Sequence, residues 1–265
     1  MSQSEGQYNQ TFNKALQHLW GDGFLSPGGP VEVAAMLDGV DVDGRDVLDV
    51  GSGLGACGVL LAERYGAASV LGVDIEAHLI EHSTERAEAN QLRDRVRFQL
   101  IEPGPLPLGD DSFDLVFPQD AIVHIPDKPA FYAEVTRVLK PGGVFVGSDW
   151  LRGGEETGTE RALAWLEFVH LNFRMQNISQ LKASLEEAGF QDVRLNDRNH
   201  WYRTEIENEL AAVTGDRYDE LVEMIGHEQA AYRQESSRRK QEAIDDGFLR
   251  PTHFFGRTPP SDGKT

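Results

Sequence analysis

The stretch "VLDVGSGLGACG", residues 47–58, carries the strongest structural signal in this chain. An alternating apolar run ends at Val50, and glycines fill four of the next eight positions. The run indicates a buried strand, and the glycines allow a sharp turn and a close approach of the backbone to a ligand. A helix is expected to start within the glycines, so its free N–H groups would favour a carboxylate or a phosphate here.

Strands and helices alternate along the chain on both sides of this loop. The predicted strands are 45–51, 69–74, 96–101, 112–120, 144–150, 192–197 and 252–258. The predicted helices are 9–20, 30–38, 55–66, 76–90, 128–140, 159–170 and 177–188, and the Pro-Gly-Gly at 141–143 is expected to end the fifth of them. This alternation predicts a parallel sheet with helices on both faces.

A long helical stretch, residues 200–243, precedes the last predicted strand. Its apolar side chains Tyr218, Leu221, Val222, Ile225 and Tyr232 are expected on one face. We interpret the stretch as an insertion that covers the sheet, and a homodimer surface is the alternative. We predict one domain throughout, 1–265, with an N-terminal lid over 1–30, a ligand-binding core over 44–150 and a flexible tail over 258–265.

Composition narrows the classes of partner. The chain has 265 residues, one cysteine (Cys57) and a formal net charge of −19. Such a charge repels phosphate backbones and anionic lipids, so neither nucleic acid nor a membrane is an expected partner. A salt-rich host is one explanation of the charge, although acidic surfaces also occur without it. The polar start "MSQSEGQYNQ" predicts no signal peptide, and the expected location is the cytoplasm.

Two carboxylates help to choose between ligands for the glycine loop. A dinucleotide and S-adenosylmethionine both bring an anionic group, and the G-x-G-x-x-G that begins at Gly53 separates them poorly. Asp49, directly before the loop, is badly placed beside a pyrophosphate but well placed for an amino group. Asp74, at the end of the second strand, suits ribose hydroxyls under either ligand. Its alternative role is that of a helix N-cap.

The order of "VLDVGSGLG", "GVD", "FDLV" and "RVLKPGG" resembles the class I S-adenosylmethionine-dependent methyltransferases over residues 44–150. The resemblance implies a doubly wound, mostly parallel, seven-stranded Rossmann-like α/β sheet, with a lid helix and a helical insertion before the last strand. It also implies S-adenosylmethionine as the cofactor and no metal. The cofactor residues that it implies are Asp49, Gly51, Ser52, Gly53 and Gly55 for the methionine part, Asp74 and Ile75 for the ribose and its surroundings, and Glu102 for the adenine.

Two further segments are similar to phosphoethanolamine methyltransferases and to sarcosine/dimethylglycine methyltransferases. "YNQTFNKALQHLWGDGFLSPGG" matches the N-terminal segment of the former, and "QDAIVHIPDK" matches both. The resemblance implies that Tyr8 and His124 form a pair over the reacting amine, with Asp120 stabilising the cationic centre. Ser26 would contact the cofactor carboxylate, and Gln119 would lie near the sulfonium.

The residues expected around the methyl acceptor differ from those of the phosphoethanolamine methyltransferases. Trp150 and Phe168 lack the hydroxyls of that family, and Asn172 stands where its arginine would be. A substrate with a carboxylate fits better, with Arg174 as its first expected partner and Arg152 as its second. Trp150 could instead offer its ring face to a methylated ammonium.

The sequence therefore predicts a small-molecule N-methyltransferase acting on a sarcosine- or dimethylglycine-like amine, towards a betaine. Phosphoethanolamine is one alternative acceptor, and oxygen, sulfur or carbon of another small metabolite is a second. A non-catalytic protein that binds the cofactor is a third reading.

Overall fold

The computed structural model describes residues 9–154, 159–170, 173–215 and 217–261. Tyr8 therefore lies outside the described residues. The strands are β1 Asp46–Val50, β2 Ser69–Asp74, β3 Val96–Leu100, β4 Phe113–Pro118, β5 Leu139–Arg152, β6 Gln191–Asp197 and β7 Leu249–Arg257. The helices are α1 Gln10–Trp20, α2 Gly29–Met36, α3 Ala56–Glu63, α4 Ala77–Ala89, α5 Lys128–Val138, α6 Glu160–Val169, α7 Ile178–Glu187, α8 Asn199–Thr214, α9 Arg217–Ile225 and α10 His227–Asp245, and a short 3-10 turn spans Ile122–His124.

The seven strands form one sheet in the order β3-β2-β1-β4-β5-β7-β6. β1 pairs in parallel with β2 on one side and with β4 on the other, so the strand order reverses between β1 and β4. β7 is antiparallel to both of its neighbours, β5 and β6. The predicted doubly wound, mostly parallel Rossmann-like sheet is confirmed. Ligands of such sheets bind outside the carboxyl ends of the strands at the reversal, which is where the glycine loop lies.

Two apolar clusters pack against the sheet, and successive strand residues alternate between them. Val47 belongs to one cluster and Leu48 to the other, and the same alternation separates Val144 from Phe145. Side chains of a strand point to opposite faces in turn, so both faces must be covered by helices. Burial on both faces fixes the register of the central strands and holds their carboxyl ends in place.

The end of α5 differs from the prediction. α5 ends at Val138, and β5 starts at Leu139 and runs through Pro141-Gly142-Gly143 to Arg152. Proline disfavours the helical conformation of the residue before it and clashes with the carbonyl four residues earlier. The helix must therefore end before Lys140, and the Pro-Gly-Gly lies within a strand.

The helical stretch before β7 also differs from the prediction, because it is divided. Gly226, with a φ of 83°, separates α9 from α10. Four of the five apolar residues expected on one face do pack in one cluster, namely Tyr218, Leu221, Val222 and Ile225. Tyr232 lies on the next helix and stacks on Phe168 of α6, with ring centroids 4.8 Å apart.

Within the described part of the chain, no helix is both long and apolar enough to cross a bilayer. Helices α8 and α10 pack against each other, α10 packs against α6, and α1 packs against α9. These helices enclose the side chains at the carboxyl end of β5, among them Trp150. They form a helical cover over the edge of the sheet at which the glycine loop lies.

We predict that Gly51→Ala destabilises the fold more than Gly39→Ala. Both glycines have a φ of 73°, but a Cβ at Gly51 would overlap the Cβ of Ala121, whereas a Cβ at Gly39 meets nothing within 4 Å. The shared backbone strain costs about 1 kcal/mol, and the overlap adds about 2 kcal/mol at Gly51 only. Urea unfolding of both variants measures the difference, and equal losses would contradict the close approach of the two loops.

Candidate active site

The glycine loop is held against the end of β2. Gly51, Gly53 and Gly55 all have a positive φ, at 73°, 53° and 82°. The backbone N–H of Gly53 donates to Asp74 Oδ2 at 2.9 Å, and the N–H of Glu76 donates to Asp74 Oδ1 at 3.0 Å. Asp74 thus ties the loop to the start of α4 and leaves further lone pairs on both of its oxygens.

The cap reading of Asp74 is wrong. The N-cap of α4 is Glu76, and it makes no capping hydrogen bond with its side chain. Burial raises the pKa of Asp74, while the N–H groups of Gly53, Glu76 and Ile75 oppose that shift. A carboxylate in this position can accept hydroxyl donors from a ligand, as the ribose reading requires.

Three buried polar atoms near this loop have no hydrogen-bond partner in the described part of the chain. They are Asp49 Oδ2, Ser52 Oγ and Gln119 Nε2. A carboxylate, a hydroxyl and an amide donor together match a ligand that carries an ammonium and a carboxylate. The residues present therefore fit the cofactor that the resemblance implies.

Asp49 is the most perturbed group of this set. It is 1% exposed, and burial, followed by repulsion from Asp74, raises its pKa to about 8. A cation beside it would restore the ionised form, because opposite charge favours ionisation. A positively charged ligand at this position would be drawn to Asp49 for that reason.

Three other residues were predicted to bind the cofactor, and the structure gives the exposure of two of them and a hydrogen bond of the third. Ile75 is 55% exposed beside Asp74, which leaves its side chain open to an apolar ring. Glu102 is exposed beyond β3. The Gln119 side-chain oxygen accepts from the Cys57 thiol at 2.9 Å, which orients its amide. Their roles remain predictions.

The segment after β4 turns the next side chains towards a second space. Asp120 has a φ of 54°, a conformation that aspartate tolerates better than most residues. Its backbone N–H donates to the Ser148 carbonyl, and its carboxylate accepts from Ser148 Oγ at 2.7 Å. Burial raises the pKa of Asp120, and hydrogen bonds from Ser148 and Ser26 counter that shift. Ser26 lies beside Asp120, and its contact with the cofactor carboxylate stays a prediction.

Asp120 and His124 line a cavity of about 80 Å³, large enough for several waters or a small molecule. Phe173 lies beside the His124 ring, at 5.3 Å between centroids. Trp150 also lines the cavity, with Tyr202 edge-on at 5.2 Å. The full lining is Phe12, Leu16, Leu19, Trp20, Leu25, Ser26, Pro27, Asp120, His124, Trp150, Trp165, Val169, Phe173, Glu209, Arg233, Ser236, Ser237 and Lys240.

Neither arginine predicted to hold the substrate reaches this lining. The backbone N–H of Arg174 bonds to the Val123 carbonyl, and its side chain is exposed. Arg152 is the last residue of β5, and its Nη1 donates to the Gly154 carbonyl at 2.9 Å. Both side chains lie outside the cavity lining, and their role in holding the substrate stays a prediction.

Residues of the helical cover that sequence reasoning did not single out line the cavity. Lys240 is 7% exposed and donates to Glu209 Oε2 at 2.7 Å, while Ser237 donates to the other oxygen. Arg233 and Ser236 complete this wall. Positions 233, 236, 237 and 240 follow the helical repeat, so the sequence does place them on one face. The sequence does not indicate which part of the protein that helix face contacts.

A buried ion cluster lies near Asp120, one of the residues that line the cavity. Arg198 makes a two-bond fork with Glu32, at 2.9 and 2.8 Å, and His253 Nε2 lies 2.6 Å from Glu32 Oε1. Burial alone would raise the pKa of Glu32, but the hydrogen bonds from His253 and Arg198 hold it below its usual value. His253 is the register partner of Ser148, so this cluster stands directly behind the Asp120 hydrogen bond.

Comparison with known proteins agrees with this arrangement. A family model described as a methyltransferase domain matches residues 41–209. Phosphoethanolamine N-methyltransferase 1 of Triticum aestivum is 30% identical over 228 residues, which are 82% of this chain and 45% of that protein. Methyltransferase GfsG of Streptomyces halstedii is 31% identical over 211 residues, 78% of this chain and 73% of that protein. The chain thus spans less than half the length of the wheat relative.

Solved structures share the fold at lower identity. The Haemonchus contortus phosphoethanolamine N-methyltransferase 2, in complex with phosphomonomethylethanolamine and S-adenosylhomocysteine, aligns with a TM-score of 0.85 and 24% identity, over 96% of this chain and 59% of that one. A Galdieria sulphuraria protein assigned as a sarcosine dimethylglycine methyltransferase aligns with a TM-score of 0.74 and 23% identity, over 86% of this chain and 83% of that one.

We predict that Asp49→Asn makes the protein more stable than the parent at pH 9, with a smaller gain at pH 5. The pKa of Asp49 is raised to about 8 in the fold from an ordinary value of 3.8, so its contribution to stability is present at low pH and is lost as the pH rises through 8. Urea unfolding at pH 5, 7 and 9 tests this.

Asp46→Asn is the control with the opposite sign. A hydrogen bond from Ser69, followed by one from Lys140, lowers the pKa of Asp46. Its contribution is present at neutral pH and is lost on acidification, so removing it should not stabilise the protein at pH 9. A gain at pH 9 in both variants would contradict the assignment to Asp49.

Proposed function

We propose, from the premise that the chain belongs to the methyltransferase domain family, that it transfers the methyl group of S-adenosylmethionine to the nitrogen of a small amine. One observation carries this proposal: the segment after β4 contributes side chains both to the surroundings of the glycine loop and to the cavity. Its Gln119 amide lies among the unsatisfied atoms near the glycine loop, and its Asp120 and His124 line the cavity. A donor at the loop and an acceptor in the cavity would meet across this segment.

The cofactor, when bound, supplies an activated methyl group on a positively charged sulfur. The chain's own residues then have two tasks, to align the amine and to keep its lone pair free. Alignment alone can lower a barrier by several kcal/mol. His124 would accept the amine proton directly or through a water, and the Asp120 carboxylate would hold the ammonium that forms. The Trp150 ring would contact the methyl groups of that ammonium.

Water must be kept from this reaction, and the lining supports that. The walls of the cavity include Trp150 and Trp165, which are 8% and 3% exposed, together with side chains of α1. Exclusion of water also strengthens the attraction between Asp120 and a cationic amine, because the local dielectric falls. Tyr8 stays a predicted partner of His124.

For the acceptor we favour a carboxylate-bearing amine of the sarcosine or dimethylglycine kind, which would be converted towards a betaine. The small volume of the cavity supports this choice, and so does the chemistry of its walls. Trp150 offers no hydroxyl for a phosphate, and Phe168 stacks on Tyr232 and is not among the lining residues. The Galdieria structure, matched over most of both chains, has such a name.

Phosphoethanolamine is the second candidate acceptor. The relatives from Triticum aestivum and the Haemonchus contortus structure carry that activity in their names. A phosphate could occupy the same cavity, because its lining includes the hydroxyls of Ser236 and Ser237 and the guanidinium of Arg233. The choice therefore belongs to a direct acceptor comparison.

We predict that Asp74→Asn weakens S-adenosylmethionine binding by about 10- to 100-fold, the loss typical of a hydrogen bond to a charged group. Calorimetry on the folded variant measures the change. Glu76→Gln is the matched control, because this neighbouring carboxylate lies 3.8 Å from His78 and makes no hydrogen bond to the loop within the described part of the chain. The affinity of this variant for S-adenosylmethionine should not change. Tight NADH binding without S-adenosylmethionine binding would overturn the cofactor assignment.

We predict that His124→Ala lowers turnover by about 100-fold or more while cofactor affinity is kept, because the variant loses the group that takes the amine proton. His200→Ala, an exposed histidine on α8, is the control. Mass detection of products from sarcosine, dimethylglycine and phosphoethanolamine gives the readout and ranks the acceptors. Full activity of the His124 variant would remove this residue from the mechanism.

A further inference from the structure

Arg233 differs from the other arginines of its helix. It lines the cavity, and its guanidinium stacks over the rings of Phe12 and Tyr232, at 4.4 and 4.8 Å. Within the described residues it has no carboxylate at ion-pair distance. Arg238 and Arg239, on the same α10, both pair with Glu235. Burial lowers the pKa of Arg233, and the field of Glu209 opposes that shift without a direct contact.

The carboxylates near Arg233 are engaged elsewhere. Glu209 lines the same wall but accepts from Lys240 at 2.7 Å and from Ser237, and Asp120 accepts from Ser148. Arg233 therefore has no hydrogen-bonded or ion-paired anion of its own among the described residues. An uncompensated charge in a buried place is costly, so such a wall is expected to meet an opposite charge from outside.

Two further hydrogen-bond donors in the cavity lining, like Arg233, would favour a ligand group that accepts hydrogen bonds. The indole Nε1 atoms of Trp20 and Trp165 are buried and have no partner among the residues described. An indole N–H can only donate, as can a guanidinium. The complementary group of a ligand is therefore one that only accepts hydrogen bonds and carries negative charge.

We propose that Arg233 binds the anionic group of the methyl acceptor, a carboxylate or a phosphate, so that the helical cover selects the substrate. The inference rests on the proposed function and names the chemistry of its acceptor. Asp120 receives the amine at the edge of the sheet, and Arg233 receives the anion on α10. Both line one cavity, so the preferred acceptor carries a cationic nitrogen and an anion in one small molecule.

The test compares Arg233→Met with Arg239→Met. Methionine keeps an unbranched stem against the aromatic rings and removes the charge. Arg239 is the matched control, because it stacks over Phe168 at 4.4 Å on the same helix but is paired with Glu235 and does not line the cavity. Thermal melting of both variants checks that the fold is retained.

The acceptors are sarcosine, dimethylglycine, phosphoethanolamine and dimethylaminoethanol, of which the last has no anion. Turnover is measured for each, and binding is measured by calorimetry in the presence of S-adenosylhomocysteine. Arg233→Met should weaken the binding, and raise the KM, of the anionic acceptors by about 100-fold, the loss of a charge-assisted pair. Dimethylaminoethanol and the Arg239 variant should show no change. The acceptor that loses most identifies the anion as carboxylate or phosphate.

The outcomes of these experiments distinguish a failure of the inference about Arg233 from a failure of the proposed function. Equal losses for charged and uncharged acceptors in the Arg233 variant, or no loss at all, overturn the role of Arg233 while methyl transfer stands. A parent protein that binds S-adenosylhomocysteine but none of the anionic amines also overturns it. Failure to bind S-adenosylhomocysteine contradicts the proposed function itself.

Discussion

The close approach of Gly51 to Ala121 is the constraint on which the site depends. The loop after β1 and the segment after β4 lie on either side of the strand reversal, and only a residue without a Cβ lets them meet. The contact brings Asp49 and Gln119, which have side-chain atoms without hydrogen-bond partners among the described residues, to the same edge of the sheet as Asp120. Asp120 accepts a hydrogen bond from Ser148 there. Any larger spacing would separate a donor in the loop from an acceptor in the cavity.

Two buried carboxylates at this edge of the sheet have no cation that fully offsets the cost of their burial. Asp49 and Asp149 both have their pKa raised to about 8, in each case by burial first. In contrast, Glu32 is fully engaged by Arg198 and His253 and stays ionised. The engaged carboxylate lies near Asp120, whereas Asp49 has no cation beside it among the described residues and is poised to receive one. Perturbed groups in a cleft are typical of functional sites.

The helical cover gives the cavity its polarity. The edge of the sheet contributes Asp120 and His124, and the cover contributes Arg233 together with the neutralised pair of Lys240 and Glu209. A cavity with a carboxylate on one wall and a guanidinium on another distinguishes ligands by the separation of their charges as well as by their size. Variation in the cover can therefore change the acceptor while the sheet and its loop stay the same, since active-site specificity resides in residues placed upon a fold.

The sequence by itself determined the sheet, the glycine loop and the roles suggested for Asp49, Asp74 and the 119–124 segment. Each of these signals is local, because apolar periodicity and glycine placement act within a few residues. Only the tertiary structure decided that Arg233 lies in the cavity and that the predicted arginines do not. The direction of a helix face depends on packing with helices far away in the chain, and no local pattern records it. For the same reason the sequence could not record that Ser26 lies beside Asp120, because the fold alone brings the two residues together.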